Sequence, residues 1–536
     1  MTMDDDASEI ETGPAGDDPE TEAPPASEPE PVDPVEVDAP VAAVVPEPAP
    51  PTIALGEGAA GVDTGRRTPR PRKVVHLTLE QRAAHGKAAR ALVPRSSHAE
   101  WQPHEGRADP VALLEEQART RVTDLVPVRY GRMLTSPFAF YRGGAYLMAS
   151  DLAGEPRTGL TVQLCGDAHL SNFGAFASPE RRLVFSLNDF DETLPGPFEW
   201  DVKRLVASFV VATRQMGLAQ PVREEIALTV AQTYRETMRE FAAMRNLDVW
   251  YAHFDVETVM QRYGAQVSAK ARKQFEKNVA KARTKDSTRA LAKLTHLVDG
   301  EPRIVGDPPL IVPIRELVTD RDLDALEDDM RSILRAYRRS LPRDRRKLLE
   351  RFRLVDAARK VVGVGSVGTR AWIVLLLGRD DQDPLFLQFK EAQPSVLEPF
   401  LGKSEFTNGG QRVVEGQRLM QSVSDIMLGW TRISGLDGVQ RDFYVRQLWD
   451  WKASGDIELL DDRRLVAYAR MCGWTLARAH ARSGDAVAIA AYLGSSDTFD
   501  RALVSFGESY ADQNERDYAA LRTAVEGERV VAETGL

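Results

Sequence analysis

At 536 residues, with 43% hydrophobic and 28% charged residues, the chain exceeds one ordinary core and has apolar material for two or more packed lobes. Its two cysteines, Cys165 and Cys472, exclude a disulfide framework, and no apolar run reaches the length of a membrane span. With no basic-then-apolar leader in the N-terminal stretch, the expectation is a soluble, cytoplasmic protein without a membrane partner.

The net charge of −11 conceals two different parts. Residues 1–65 hold 17 Asp and Glu, no Lys or Arg, and 12 of the 32 prolines, so they cannot bury enough apolar surface to offset ordering entropy. A disordered acidic tail is expected there. The other 63 acidic residues face all 69 Lys and Arg, which gives residues 66–536 a charge of +6. A mildly basic folded part suits a phosphate-bearing ligand without requiring one. The Arg66–Lys73 cluster reads as a solvated linker, with a clasp on the acidic tail as the alternative.

From Thr78 to Ala118 the pattern is helical, and Asp109-Pro110 supplies an N-cap and a first-turn proline. Two segments then interleave arginine with aromatics and glycine: Val126–Met133 and Ser136–Gly143. Their Arg129, Arg132 and Arg142 fit an anion-binding loop, and equally a structural arginine buried beside a tyrosine ring.

The densest chemistry lies between Leu164 and Leu205. Apolar runs at 172–177 and 182–187 flank a turn containing Pro179, the signature of a β-hairpin. Asp167 and Asn172 precede the hairpin, and Asp189 and Asp191 follow it. A hairpin brings its ends together, and crowded carboxylates need a compensating cation, most often a metal ion. A polar loop that merely caps the hairpin is the simpler alternative.

Residues 202–360 read as long helices broken at Gly217, Pro221, Gly264 and the 306–313 loop. Nine Lys and Arg fall within Lys270–Lys293 with only Phe275 as a stacking residue, which argues for a solvated helix face and against nucleic-acid readout. After Lys360 comes Val361-Val362-Gly363-Val364-Gly365-Ser366-Val367-Gly368. Alone this is a weak motif, equally a bare turn between strands. An apolar strand at 371–377, a polar turn and a second strand ending in Lys390 give it more weight. A buried ammonium at the end of an apolar strand needs a partner. Glu415, on the helix expected around Gln411–Met420, is the first candidate and Glu398 the second. A further strand is expected at Phe443–Leu448, a helix at Leu465–Arg482 and a helical tail to about Val525. His480 reads as a helix-terminal histidine rather than an acid/base partner of Asp485.

Gly166-Asp167-Ala168-His169, Asn172 and Asp189-Phe190 resemble the catalytic loop and metal-binding segment of the protein-kinase-like phosphotransferases, especially the aminoglycoside and choline kinase branch. Cys165 departs from that pattern, standing where the branch has a leading histidine, and Asp201 matches its helix aspartate that buttresses the loop. The Ser-Pro-Phe-Ala-Phe-Tyr-Arg-Gly, Gly-Asp-Ala-His-Leu-Ser-Asn-Phe-Gly and Asn-Asp-Phe-Asp-Glu-Thr runs are similar to an uncharacterised bacterial family, domain of unknown function 2252. That family brings no established reaction.

The kinase-like resemblance implies an α+β, two-lobe fold with a large helical lobe and a smaller antiparallel-sheet lobe. Because the Gly-rich loop and Lys390 follow Asp167 and Asp189 instead of preceding them, the fold would be circularly permuted. Its parts would be the tail (1–65), a mainly helical lobe (66–360), a β-rich nucleotide-binding lobe (361–455) and C-terminal helices packed on the helical lobe (456–536). The implied reaction is Mg²⁺-dependent transfer of a phosphoryl group from ATP or another nucleotide to an unknown acceptor. Asp167, Asn172 and Asp189 would be catalytic, and Asn172, Asp189 and Asp191 would hold the metal. Gly363, Gly365, Gly368, Lys390 and Glu415 would bind the nucleotide. A metal-dependent phosphohydrolase using Asp167, His169, Asp189 and Asp191, and a nucleotide-binding scaffold without turnover, remain as alternatives.

Overall fold

Sixteen consecutive residues, Phe198 to Thr213, are buried along the helix Phe198–Gln215. A helix buried on every face belongs at the centre of a core. Three long helices pack around it and around one another: Gln220–Ala243, Asp462–Ser483 and Thr498–Glu526. The central helix also carries the buried charges Glu199, Asp201, Lys203 and Arg204, each of which needs a partner at that depth. Two of the four, Asp201 and Arg204, find theirs in the loop that begins at Cys165. The computed structural model describes residues 75–536 apart from 100, 257–272, 274–276, 278, 285, 318–322, 362, 364, 366, 436, 452–456 and 536, and for 323–326 it describes the backbone alone. The acidic tail, the Arg66–Lys73 cluster and much of the Lys270–Lys293 segment therefore lie outside the described residues.

Short strands frame the loop. β1 (Thr161–Leu164) precedes it; β2 (Phe173–Ala177) and β3 (Leu183–Leu187) form the expected hairpin; β4 (Leu194–Pro197) returns to pair with β1. The hairpin turn closes through Ser178 and Arg182, and β5 (Phe254–Asp255) adds a third strand beside β3. The β1–β4 pairing draws the segments before and after the hairpin to one place.

Beyond a small hairpin of β6 (Thr295–Val298) and β7 (Glu301–Ile304), one antiparallel sheet organises the rest. Its strands are β8 (Ile311–Pro313), β9 (Arg353–Lys360), β10 (Ala371–Leu377), β11 (Pro384–Glu391), β12 (Gly429–Ser434) and β13 (Gln440–Gln447), in the spatial order β12-β13-β11-β10-β9-β8. Alternation gives it two apolar faces: Val374, Leu376, Leu385, Leu387 and Phe389 join one cluster, and Ile373, Leu375, Leu377 and Phe386 the other. β10 and β11 match the two strands expected from the sequence.

The boundary drawn at 361 is corrected by this sheet, which already includes β8 and β9. The stretch 202–360, expected to be mostly long helices with breaks, holds five strands among its described residues. β9 is rich in arginine and lysine, and only its pairing between β8 and β10 makes it extended. The architecture is mixed α+β with antiparallel sheets. Among the described residues, no helix is long and apolar enough to cross a membrane.

Candidate active site

The buried helix builds the first wall. Asp201 accepts the backbone N–H of Cys165 at 2.6 Å and that of Gly166 at 3.0 Å, one through each carboxylate oxygen. Its Oδ2 also lies 3.3 Å from His480 Nε2, whose other ring nitrogen is 2.8 Å from the Tyr234 hydroxyl. His480 is thus a buried bracing residue, and Asp485 is elsewhere, capping the next helix and paired with Arg82. Gly166 has φ +82°, and a Cβ there would lie 2.5 Å from the carbonyl oxygen of Glu192. Only glycine allows this approach between the loop before the hairpin and the loop after it.

Three residues beyond Asp201, Arg204 grips Asp167 through Nε and Nη2, at 2.9 and 2.7 Å from one carboxylate oxygen. The other oxygen lies 3.7 Å from His169 Nε2. Burial pushes the Asp167 carboxyl upward, aided by the Asp189 charge and opposed by Arg204. Burial, with Arg142 and Arg204 nearby, holds His169 well below the ordinary histidine range, so the imidazole is neutral. Asn172 donates its side-chain N–H to the Asp167 carbonyl at 2.7 Å, which leaves its amide oxygen to face the cleft.

The second wall brings residues some 200 positions apart in sequence into contact. Lys390 is 2% exposed at the end of β11, and its ammonium is 3.3 Å from Asp189 Oδ2 and in a closer ion pair with Asp191. The other Asp191 oxygen accepts the Tyr444 hydroxyl at 2.9 Å. Burial pulls the lysine pKa down, but Asp189 and Asp191 outweigh it and hold the ammonium charged. Lys390 therefore has its partner in the two aspartates rather than in Glu415 or Glu398. Glu415 instead pairs with Arg418 at 3.4 Å, and Glu398 accepts the N–H of Ser395 at 3.3 Å. The helix Gly409–Met420 turns Arg412, Val413, Gly416, Gln417 and Met420 inward, which leaves Glu415 off that face. Arg412, which the sequence reading passed over, binds the carbonyls of Asp191, Thr193 and Gln393 and so fixes the acidic loop.

The glycine loop forms the third wall. Arg121 donates to the carbonyls of Gly365, at 3.0 Å, and Val367, while Val122 N–H donates to the Gly368 carbonyl at 2.7 Å. Gly368 has φ +87°, and a Cβ there would touch Arg121 at 3.0 Å. Val362, Val364 and Ser366 lie outside the described residues. Gly363, Gly365, Lys390, Asp167, Asn172, Asp189 and Asp191 all line one cavity of about 400 Å³, together with Arg121, Arg142, Glu192, Gln388 and Arg446. Gly368 and Glu415 are not among its lining residues.

The Ser136–Gly143 run is no loop: Ser136 caps the helix Pro137–Gly143. Its neighbour Arg129 is the buried structural arginine, fully enclosed and set over the Tyr130 ring at 6.0 Å, while Arg142 reaches the cavity. β13 itself carries a further cation, Arg446, whose guanidinium bonds Gln388 at 3.1 Å and the Asn188 carbonyl at 3.1 Å.

Among the described residues, no three His, Cys, Asp or Glu side chains converge on a metal position. The acidic corner offers two carboxylates and the Asn172 amide oxygen. That all-oxygen, incomplete set fits Mg²⁺, which keeps part of its shell for water and substrate phosphates. It does not fit a metal held by protein ligands alone.

One family model, described as "Uncharacterized protein conserved in bacteria (DUF2252)", matches residues 121–524. No curated protein and no solved structure matches the chain.

Proposed function

We propose that this chain, which belongs to the DUF2252 family, is a kinase-like phosphotransferase that moves the terminal phosphoryl group of ATP or a related nucleotide to a hydroxyl acceptor. One observation carries the reading. The Asp167–Asn172 loop, the Asp189–Asp191 pair, Lys390 and the two glycines Gly363 and Gly365 surround a single cavity, although about 170 residues separate the two halves in sequence. The same set of parts, in the opposite chain order, serves nucleotide phosphates in kinase-like folds. We therefore read the chain as a circularly permuted two-lobe kinase-like fold.

In this reading the nucleotide triphosphate lies under the glycine loop, with its phosphates toward Lys390. Lys390 would meet the phosphates, and Asp189, Asp191 and Asn172 would hold Mg²⁺, which would supply neutralisation of the phosphate charge when bound. Arg204 keeps one Asp167 oxygen occupied and aims the other at the acceptor. As the acceptor oxygen attacks phosphorus, its O–H bond breaks toward Asp167 and a P–O bond forms. The bond from the terminal phosphorus to the bridging oxygen breaks, and that electron pair leaves on the nucleoside diphosphate. Charge spread over the phosphoryl oxygens meets donors already fixed by packing, which is where such sites gain most of their rate.

The test compares phosphoryl transfer from γ-labelled ATP, to water or to acceptors in a cell extract, by the native chain and by Asp167→Asn. The variant should retain nucleotide binding and lose turnover by 10²-fold or more, within the range of general-base contributions of roughly 10²–10⁴. Equal turnover by both would remove Asp167 from the chemistry. Nucleotide binding with no turnover by either would favour a scaffold.

A further inference from the structure

A second cavity, of about 320 Å³, adjoins the first, and Arg142 and Ser171 line both. Ser171 sits in the turn between His169 and Asn172, so this space opens onto the same loop that presents Asp167. Its wall is polar. Thr135, Ser136 and Ser171 contribute hydroxyls, and Gln215 and Glu458 face each other through a hydrogen bond of 3.0 Å. The Gln215 side-chain oxygen already accepts the N–H of Phe138 at 3.1 Å, and the Ser136 hydroxyl oxygen that of Ala139 at 3.1 Å. Phe138 and Met216 supply a small apolar floor.

Arg142 stands at the junction. Among the described residues its side chain has no hydrogen-bond or ion-pair partner, and its Nε is buried without one. The charge it feels is that of Asp167. Other deep arginines of this protein all have oxygen partners: Arg204, Arg107 and Arg235 pair with carboxylates, while Arg129, Arg412 and Arg478, with no counterion among the described residues, bond amide or backbone oxygens. A guanidinium kept half out of water without a counterion is unfavourable until an anion arrives. At the boundary of the two cavities, the phosphotransferase reading would make that anion the phosphoryl group in transit.

We propose that the second cavity is the acceptor subsite of the phosphotransferase reading, on which it rests, and that it takes an uncharged polyhydroxyl compound of about monosaccharide size. With Arg142 committed to the phosphoryl group and the Gln215 amide bonded through both its atoms, the remaining wall offers the Thr135, Ser136 and Ser171 hydroxyls and the Glu458 carboxylate. Such a wall accepts hydrogen bonds from O–H groups and repels an anion. The carboxylate end, at Glu458, is already bonded to Gln215, which lessens its pull on a cation. A sugar hydroxyl seated at Ser171 would point toward Asp167, and Arg142 would bridge the two reactants.

Saturation-transfer NMR on the full chain tests this with glucose, glucosamine and glucose 6-phosphate, each with and without a non-hydrolysable ATP analogue and Mg²⁺. Glucose should give a signal that strengthens at least threefold with the nucleotide analogue. Filling the cavity by Ala212→Leu, or by Met216→Trp should the first variant fail to fold, should abolish that signal, while the nucleotide Kd, set in the other cavity, stays within threefold. A glucose signal that persists in both filled variants would overturn the site. Binding of glucose 6-phosphate alone, or of glucosamine tenfold more tightly than glucose, would overturn the uncharged class. If the native chain binds no nucleotide yet glucose still responds to cavity filling, the acceptor role falls and the polyhydroxyl site stands.

Discussion

Glu192 ties together the loop after the hairpin and the segment that follows β11. Its carbonyl accepts the Ser395 hydroxyl at 2.8 Å, and its carboxylate accepts the N–H of Val396 at 2.8 Å. Burial pushes that carboxyl up to about 7, opposed by the Val396 N–H and Arg412. The folded chain therefore holds a proton on Glu192 that the unfolded chain releases near pH 4.5. Below that pH the proton is bound in both states and costs nothing. Between roughly 4.5 and 7 the folded state binds more protons, so stability falls as pH rises. Glu192→Gln removes the dependence. Urea unfolding of native and variant chains from pH 5 to pH 8 should show the variant gaining on the order of 2 kcal/mol relative to the native chain, part of the shift being screened at this partly exposed site. A constant difference across that range would place Glu192 in a solvated, ordinary environment. The residue matters to function because it faces the cavity beside Asp191.

At the scale of elements, two loops meet with no space between them. Gly166→Ala would put a methyl carbon against the Glu192 backbone at 2.5 Å while demanding φ +82° of an L-residue. Backbone cannot give way as the tip of a side chain can, so the substitution should destabilise by about 2–4 kcal/mol. It should also shift Asp167, giving a loss of turnover larger than that of a stability-matched substitution at Leu376 in the apolar face of the sheet, which does not line the cavity. Chemical denaturation with turnover at matched temperature reads both effects. A loss below about 0.5 kcal/mol would mean that the loops do not touch.

Much of this element layer was legible in the sequence. The hairpin fell within a residue of its expected ends because period-two apolar runs and a proline turn are local signals. The helix opening at Pro110 did so because Asp109 caps it through the N–H groups of Val111 and Ala112. β9 was illegible, since its two arginines, one lysine and one aspartate carry no strand signal apart from their neighbours. Glu415 was misassigned for a different reason. A carboxylate on the right helix was counted without its face, although the inward set of Arg412, Val413, Gly416, Gln417 and Met420 already has helical spacing. The partners of Lys390 are the two aspartates whose crowding calls for a cation, and the lysine ammonium is itself such a cation.

Across the whole molecule, the buried helix and the six-stranded sheet bring together residues that the sequence keeps far apart. Lys390 and Asp189 lie 3.3 Å apart across 201 positions. This contact makes one site of two separate motifs, and the nucleotide reading depends on it. Its most direct test is a double-mutant cycle on the Kd of ATP with Mg²⁺, measured by calorimetry on the native chain, Lys390→Met, Asp189→Asn and the double variant, each first shown to be folded. Two groups serving one triphosphate should each raise the Kd by 10²-fold or more when removed, and the double variant should be little worse than either single one, a coupling of about 2 kcal/mol or more. A Kd left unchanged by Lys390→Met, or effects that simply add, would contradict the account and leave the two motifs as neighbours without a common ligand.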